Sequence, residues 1–339
     1  MCSSDLYDRA IGHIARGVAY DNRGQHDRAI RDYDEAIQLE PNLAFAYNNR
    51  GVSYQGKEQY DRAIADFDHA IALDSDYAKA YINRGLAHHD KGDHDAAIRD
   101  FDRAISLQPD NAWAYNSRGM AYNSKDQHDR AIEDFDQAIK LEPDYASAFN
   151  RRGAAHDDKG DYDRAIQDYS QAIKLDPEYS AAYYNRGLAY EHKKDYARAA
   201  ENFGQAIKFD PEDSAAYAER GYVYSQLGDD DKAIADFNRA IELKPGDAVA
   251  RGERGLAFYH KGDYDRAIQD YDAALELKPD SVATAASPTG SRGTIAERSR
   301  TTAQRSSWTP RTRRSSTSAA LPISTRATRP RRLTTTPRR

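Results

Sequence analysis

Residues 48–51 read NNRG, and the tetrapeptide returns as INRG at 82–85, NSRG at 116–119, NRRG at 150–153 and YNRG at 184–187. The closing glycine extends the register in both directions, as Gly17, Gly51, Gly85, Gly119, Gly153, Gly187, Gly221 and Gly255, each 34 residues after the last. A spacing held this strictly marks a chain built from supersecondary units that bury apolar surface only by stacking on one another.

Other phases carry the same period. Alanine stands twelve residues after every glycine, from Ala29 to Ala267, and again nineteen after, from Ala36 to Ala274. Sixteen after comes an aromatic: Tyr33, Phe67, Phe101, Phe135, Tyr169, Phe203, Phe237 and Tyr271. Proline follows at twenty-four, from Pro41 to Pro279, with Ser75 the exception. In AIQDYSQAIKL (165–175), the apolar residues Ala165, Ile166, Tyr169, Ala172, Ile173 and Leu175 fall at helical spacing. The preceding stretch, SAAYYNRGLAYEHK (180–193 in the next copy), puts Ala182, Tyr183, Gly187, Leu188 and Tyr190 on one face of another helix. Asp161, Asp229 and Asp263 are placed to cap the second helix of their pairs, and Asp176-Pro177 and Asp210-Pro211 punctuate the copies. Glycine inside a helix costs roughly 1 kcal/mol against alanine. Eight at one phase therefore imply close helix approach, with the aromatic filling the remaining space.

The pattern resembles the tetratricopeptide repeat. An aromatic stands four residues before the glycine (Tyr47, Tyr81, Tyr115, Phe149, Tyr183, Tyr217) and another three after it (Tyr20, Tyr54, Tyr122, Tyr190, Tyr224, Phe258), followed by the alanine, aromatic, alanine and proline positions. Departures are His13 and Arg251 at the first aromatic, His88 and His156 at the second, and arginine before all eight glycines, Arg16 to Arg254, where the family has an aliphatic residue. The resemblance implies an all-α fold, a right-handed superhelical solenoid of antiparallel helix pairs whose first helices line a concave groove. Eight copies are expected at 10–43, 44–77, 78–111, 112–145, 146–179, 180–213, 214–247 and 248–281, after an irregular segment at 1–9.

Residues 282–339 are rich in Arg, Ser, Thr and Pro and are expected to be disordered. They carry thirteen arginines and one acid, so the net charge of −6 divides into +12 there and −18 on the rest. The tail still echoes the period, pairing Arg292 with Arg326, Arg298 with Arg332 and Arg305 with Arg339. Trp308-Thr309-Pro310 is what the codons for Leu-Asp-Pro give when read one base late, so the tail reads as frameshifted repeat sequence. CSSDL (2–6) and ALPIS (320–324) can both be encoded by TGCTCTTCCGATCT, which resembles a sequencing adapter, so both ends are expected to be extraneous. The rival reading is a genuine disordered basic arm for nucleic acid or anionic membrane.

The lone Cys2 excludes an internal disulfide, and neither a secretory leader nor an apolar run of spanning length is found. A cytoplasmic protein with no membrane partner is expected. Ten histidines raise a metal question, best at His88, His89 and His94, yet repeat phase accounts for them: His94 stands where Tyr162 and Tyr264 stand. DDKGDYD (157–163) puts Lys159 where calcium needs an oxygen. No nucleophile or phosphate loop breaks the period, and the acids Asp32, Asp66, Asp100, Asp134 and Asp168 recur with it. They are expected to meet the repeated arginines in exposed pairs of about 0–1 kcal/mol each. The chain thus reads as no enzyme, with no cofactor, metal or small-molecule substrate.

In the family resembled, the residue two before the glycine faces the groove; here it is Ala15, Asn49, Asn83, Ser117, Arg151, Asn185, Glu219 and Glu253. An asparagine amide both donates and accepts, so a row of them can hold extended backbone whatever its side chains. Asn49, Asn83 and Asn185 are similar to the asparagine ladders of peptide-holding arrays, with Asn48, Asn116, Asn150 and Arg151 beside or among them. Phe45 and Trp113 are expected as aromatic anchors. The carboxylate clamp of chaperone-binding members needs Lys and Asn where Ile14 and Val18 stand, so only Asn49 and Lys79 correspond and chaperone tails are not expected. The reading is a scaffold that binds an extended segment of a partner protein. Two alternatives are a regulatory module of a larger enzyme and a nucleic-acid binder acting through the tail.

Overall fold

The computed structural model describes residues 3–277; the expectations for the tail lie outside them. Among the described residues there are sixteen helices and no strand. In chain order they are α1 (Ser3–Asp21), α2 (His26–Leu39), α3 (Ala44–Gly56), α4 (Tyr60–Leu73), α5 (Ala78–Asp90), α6 (His94–Leu107), α7 (Ala112–Asn123) and α8 (His128–Leu141). The second half follows as α9 (Ala146–Asp158), α10 (Tyr162–Leu175), α11 (Ser180–His192), α12 (Tyr196–Phe209), α13 (Ser214–Gln226), α14 (Asp230–Leu243), α15 (Ala248–His260) and α16 (Tyr264–Leu277).

Each even-numbered helix buries a stripe that its sequence spells out. In α4 the buried residues are Ala63, Asp66, Phe67 and Ala70, an i, i+3, i+4, i+7 set. The aromatic of that stripe lies against the repeat glycine. A Cβ built on Gly51 would stand 2.6 Å from Phe67 Cε1, and one on Gly85 2.7 Å from Phe101 Cε1. No side chain fits between them, so each pair closes as tightly as backbone and ring allow. That demand outweighs the helix penalty of glycine.

The turn inside each pair uses one residue with positive φ, seven after the repeat glycine. It is Gly24, Gly92, Gly160, Gly228 or Gly262 in five copies and Glu58, Asp126 or Lys194 in three. The following helix is capped where aspartate is available: Asp161, Asp229 and Asp263 accept from the backbone N–H three residues on, each at 3.2 Å. Asp93 and Asp195 do the same.

One expectation is corrected at the N-terminus. Residues 1–9 were expected to be irregular, whereas α1 already begins at Ser3. Leu6, Ala10 and Ile14 recur every four residues, so the face that buries Ala10 and Ile14 continues backward by a turn, with Asp5 in the first turn suiting the helix dipole.

Consecutive helices pack antiparallel in pairs, and each pair packs on the next to build a solenoid. First helices also meet the first helices of neighbouring pairs, as α1 with α3, α3 with α5, α5 with α7, α7 with α9 and α9 with α11. Second helices make no comparable approach to one another. The odd-numbered helices therefore form the inner row of the stack.

Candidate functional site

The arginine before each glycine is a junction residue. Arg50 donates from Nε and Nη2 to Asp66 at 2.8 and 2.7 Å, and from Nη1 to Asp34 of the preceding copy at 2.6 Å. Arg84 joins Asp100 and Asp68 in the same way, Arg118 joins Asp134 and Asp102, and Arg152 joins Asp168 and Asp136. Each guanidinium also lies over the aromatic four residues before the glycine, with Arg50 5.5 Å from the Tyr47 ring. The inner aspartates are buried, between 4 and 7% exposed. These are not the exposed pairs expected from sequence but desolvated, bidentate ones. Hydrogen bonding to aspartate raises the pKa of Arg50, Arg84 and Arg118, while burial raises that of Asp134.

The device changes after copy five. Arg186 meets only neutral acceptors, Asn202 Oδ1 at 2.8 Å and Ser170 Oγ at 2.9 Å, and burial lowers its pKa. Arg220 keeps Asp236, but Gly204 stands where the preceding copy should offer an acid. Arg254 joins Asp270 and Asn238. These arginines are used up in holding copies together, and the asparagines lie one and two positions earlier on the same first helices.

There the asparagines divide into two sets. Asn48 is fully buried, and Asn83, Asn116 and Asn150 are nearly so. Asn83 Nδ2 donates to Asn48 Oδ1 at 2.8 Å, and Asn185 Nδ2 to Asn150 Oδ1 at 3.1 Å, so amides of adjacent first helices pair with one another. Asn48 also reaches Asn49 Oδ1 at 3.3 Å. Of the three amides expected from sequence to hold extended backbone, Asn83 and Asn185 are paired with Asn48 and Asn150, because neighbouring helices bring these groups close enough to satisfy each other.

Asn49, Asn185, Arg151, Phe45 and Trp113 are half-buried, and Lys79 is exposed. Phe45 packs partly against the cluster that holds Tyr33 and Ala36, and Trp113 against the cluster that holds Ile82 and Phe101. Each leaves the rest of its ring accessible. Arg151 donates from Nε to Ser147 Oγ at 3.3 Å.

Two tyrosines missed by sequence reasoning frame this position. Tyr145 and Tyr179, each eight residues before a repeat glycine, have phenols that burial pushes up while the Arg151 charge acts oppositely. Asn116 Nδ2 donates to the Tyr145 hydroxyl at 3.4 Å. Tyr77 holds the same phase and is pushed up to about 12 by burial. The signal was present in that spacing but lies in the inter-copy loop, where helical periodicity says nothing.

The His89 and His94 rings meet at a tilt of 52°, with centroids 4.8 Å apart. Among the described residues no three His, Cys, Asp or Glu side chains converge to hold a metal, and no helix is long and apolar enough to cross a membrane.

A solenoid of helix pairs, each locked by a glycine under an aromatic, defines a helical-repeat protein. Profiles described as TPR repeat match residues 17–58, 56–92 and 158–194, and those described as Tetratricopeptide repeat match 78–111, 112–145, 180–213, 202–235 and 221–287. The chain belongs to the tetratricopeptide-repeat family. No curated protein matches it. Among solved structures it is similar to the Cut9–Hcn1 hetero-tetramer of APC/C, at 17% identity and a TM-score of 0.60, over 81% of this chain and 55% of that one. This chain thus spans about half the length of that relative. It is also similar to a tetratricopeptide repeat protein from Parabacteroides merdae, at 18% identity and a TM-score of 0.59, over 74% of this chain and 99% of that one. A third is Pseudomonas aeruginosa PilF, at 20% identity and 0.55, over 60% and 93%. These likenesses concern the fold. Proteins of the family are generally protein-interaction scaffolds.

Proposed function

We propose that the chain is a non-enzymatic scaffold whose inner row of first helices holds an extended segment of a partner protein. The observation that carries this reading is the inner row itself. Phe45 and Asn49 on α3, Trp113 on α7, Arg151 on α9 and Asn185 on α11 stand at related phases and keep part of each side chain open, although Asn185 also donates to Asn150, whereas the arginines before the glycines and the Asn48–Asn83 pair are consumed within the stack. Aromatic faces would supply affinity and amides would fix register along an extended backbone. The non-enzymatic reading is supported by the way repeat phase accounts for the acids and histidines, each in a position that other copies fill for packing.

The test is display of random extended peptides against the full chain, followed by calorimetry on those retained. Wild-type protein is expected to retain peptides that a Phe45→Ala, Trp113→Ala variant of unchanged melting temperature binds at least about tenfold more weakly, as for loss of interface anchors. Equal binding by that variant would count against the inner row.

A further inference from the structure

At the phase two before the repeat glycine, one cation holds a donor that the protein does not fill. Arg151 on α9 stands two before the repeat glycine, where the other copies have Ala15, Asn49, Asn83, Ser117, Asn185, Glu219 and Glu253. It is the one cation at that phase. The arginines one position later find aspartates in most copies, whereas Arg151 enters no ion pair among the described residues. Its Nε has only Ser147 Oγ, and its Nη1 is buried without an acceptor. The Tyr145 and Tyr179 phenols beside it feel its charge, and Asn116, bonded to Tyr145, keeps a buried Oδ1 unpaired.

A guanidinium does not shed its proton, so burial cannot neutralise it as it would a lysine or histidine. Its planar fork of donors matches a carboxylate. An acid arriving at the accessible part of this half-buried side chain would balance the charge.

We propose that Arg151 seats an aspartate or glutamate side chain of the extended partner segment, which fixes that segment's register on the array. This deepens the scaffold reading above and rests on it. A side chain fits better than a chain terminus because the inner row continues on both sides of Arg151, through Trp113, Asn49 and Phe45 in earlier copies and Asn185 in the next. A chain ending there would leave one side untouched. Further along, the same phase turns acidic at Glu219 and Glu253, so a carboxylate displaced by two or three copies would meet like charge. The acid has one favourable seat.

The experiment extends the peptide display with the full chain. Peptides retained by wild type should share an acidic residue at one position, and that preference should vanish from peptides retained by Arg151→Gln. For a retained synthetic peptide, Asp→Asn should weaken binding to wild type by about tenfold or more, as for loss of one partner of a desolvated charge pair. The same change should then have little effect on binding to Arg151→Gln. Amidating the peptide's C-terminus should leave affinity unchanged. The Asp→Asn comparison needs only wild-type protein, so it stands even if Arg151→Gln fails to fold. Retained peptides without an acidic preference, or an acidic preference that survives in Arg151→Gln, overturn this inference while leaving the scaffold reading intact. Loss on amidation in place of Asp→Asn overturns it in favour of a terminal carboxylate. Retention of no peptide at all overturns both.

Discussion

Asn83 on α5 donates its side-chain amide to Asn48 Oδ1 on α3 at 2.8 Å, and both residues are buried. Replacing Asn83 with alanine leaves a buried acceptor without its donor, at a cost of about 1–3 kcal/mol. Asn49, half-buried, accepts only a long 3.3 Å bond from Asn48, so its alanine variant should lose less, below about 1 kcal/mol. Thermal melts followed by circular dichroism would separate the two variants. Equal melting temperatures would mean that the amide pair contributes nothing at this junction.

That pair also shows where sequence reading stopped. The glycine, alanine and aromatic phases disclosed the helix pairs because the contacts they make lie within one copy, and the period repeats them eight times. Asn48 and Asn83 are 35 residues apart, one more than the period, so their contact belongs to the junction between copies and is invisible in any single one. The arginine staple was half legible. Its acid in the same copy, such as Asp66 for Arg50, could be suspected from phase, but the second acid, Asp34, comes from the copy before. Burial of the inner aspartates was hidden for a plainer reason. A recurring charged residue on an amphipathic helix reads as solvent-facing unless the helix stacked over it is known.

Acid should weaken the array, and the sign follows from which carboxylates are shifted. Hydrogen bonds from Lys57, Lys125 and Lys159 hold Asp27, Asp95 and Asp129 below the usual carboxylate range. Side-chain and backbone donors of Arg198, Lys232 and Arg266 do the same for Asp195, Asp229 and Asp263, and Arg16 does so for Asp32. A lowered folded-state pKa contributes stability above the unfolded value that is lost as pH falls through the folded one. Asp134 and Asp158, raised by burial, work the other way, with stability present at low pH and lost as pH rises. The lowered set is larger. The melting temperature is therefore expected to fall as pH drops below about 4, the ordinary aspartate range. A melting temperature that rises on the same titration would show that the two buried acids dominate.

Lys194 occupies the left-handed position of its turn at φ 60°, where five other copies place glycine. A side chain in that conformation costs about 1–2 kcal/mol, partly offset in a Lys→Gly exchange by the greater freedom of glycine in the unfolded chain. Lys194→Gly should stabilise the protein by about 0.5–1 kcal/mol, and the reverse change, Gly160→Lys, should destabilise it. Melting temperatures that move the same way in both variants would remove backbone strain as the cause.

Gly204 offers the test of the staple itself. It lies inside α12 at the phase where Asp34, Asp68, Asp102 and Asp136 supply the outer acceptor for the next copy's arginine. A Cβ built on Gly204 would meet Arg220 Nη1 at 3.5 Å and nothing nearer, so an aspartate has room. Arg220 already holds Asp236 through Nε and Nη2 at 2.7 and 2.8 Å, which fixes the guanidinium and turns Nη1 toward α12. Gly204→Asp should add a charge-assisted hydrogen bond across the junction and remove a helix-interior glycine, for a combined gain of about 1–2 kcal/mol. The helix term has to be separated from the bond. Gly204→Ala gains the first without the second, and a cycle of Gly204→Asp with Arg220→Met isolates their coupling, expected at about 1 kcal/mol. Hydrogen exchange should slow in the amides of α12 and α13 in Gly204→Asp more than in Gly204→Ala. A coupling of zero in the cycle would mean that the outer acceptors of copies one to four are bystanders, and that the inner aspartates alone hold the junctions.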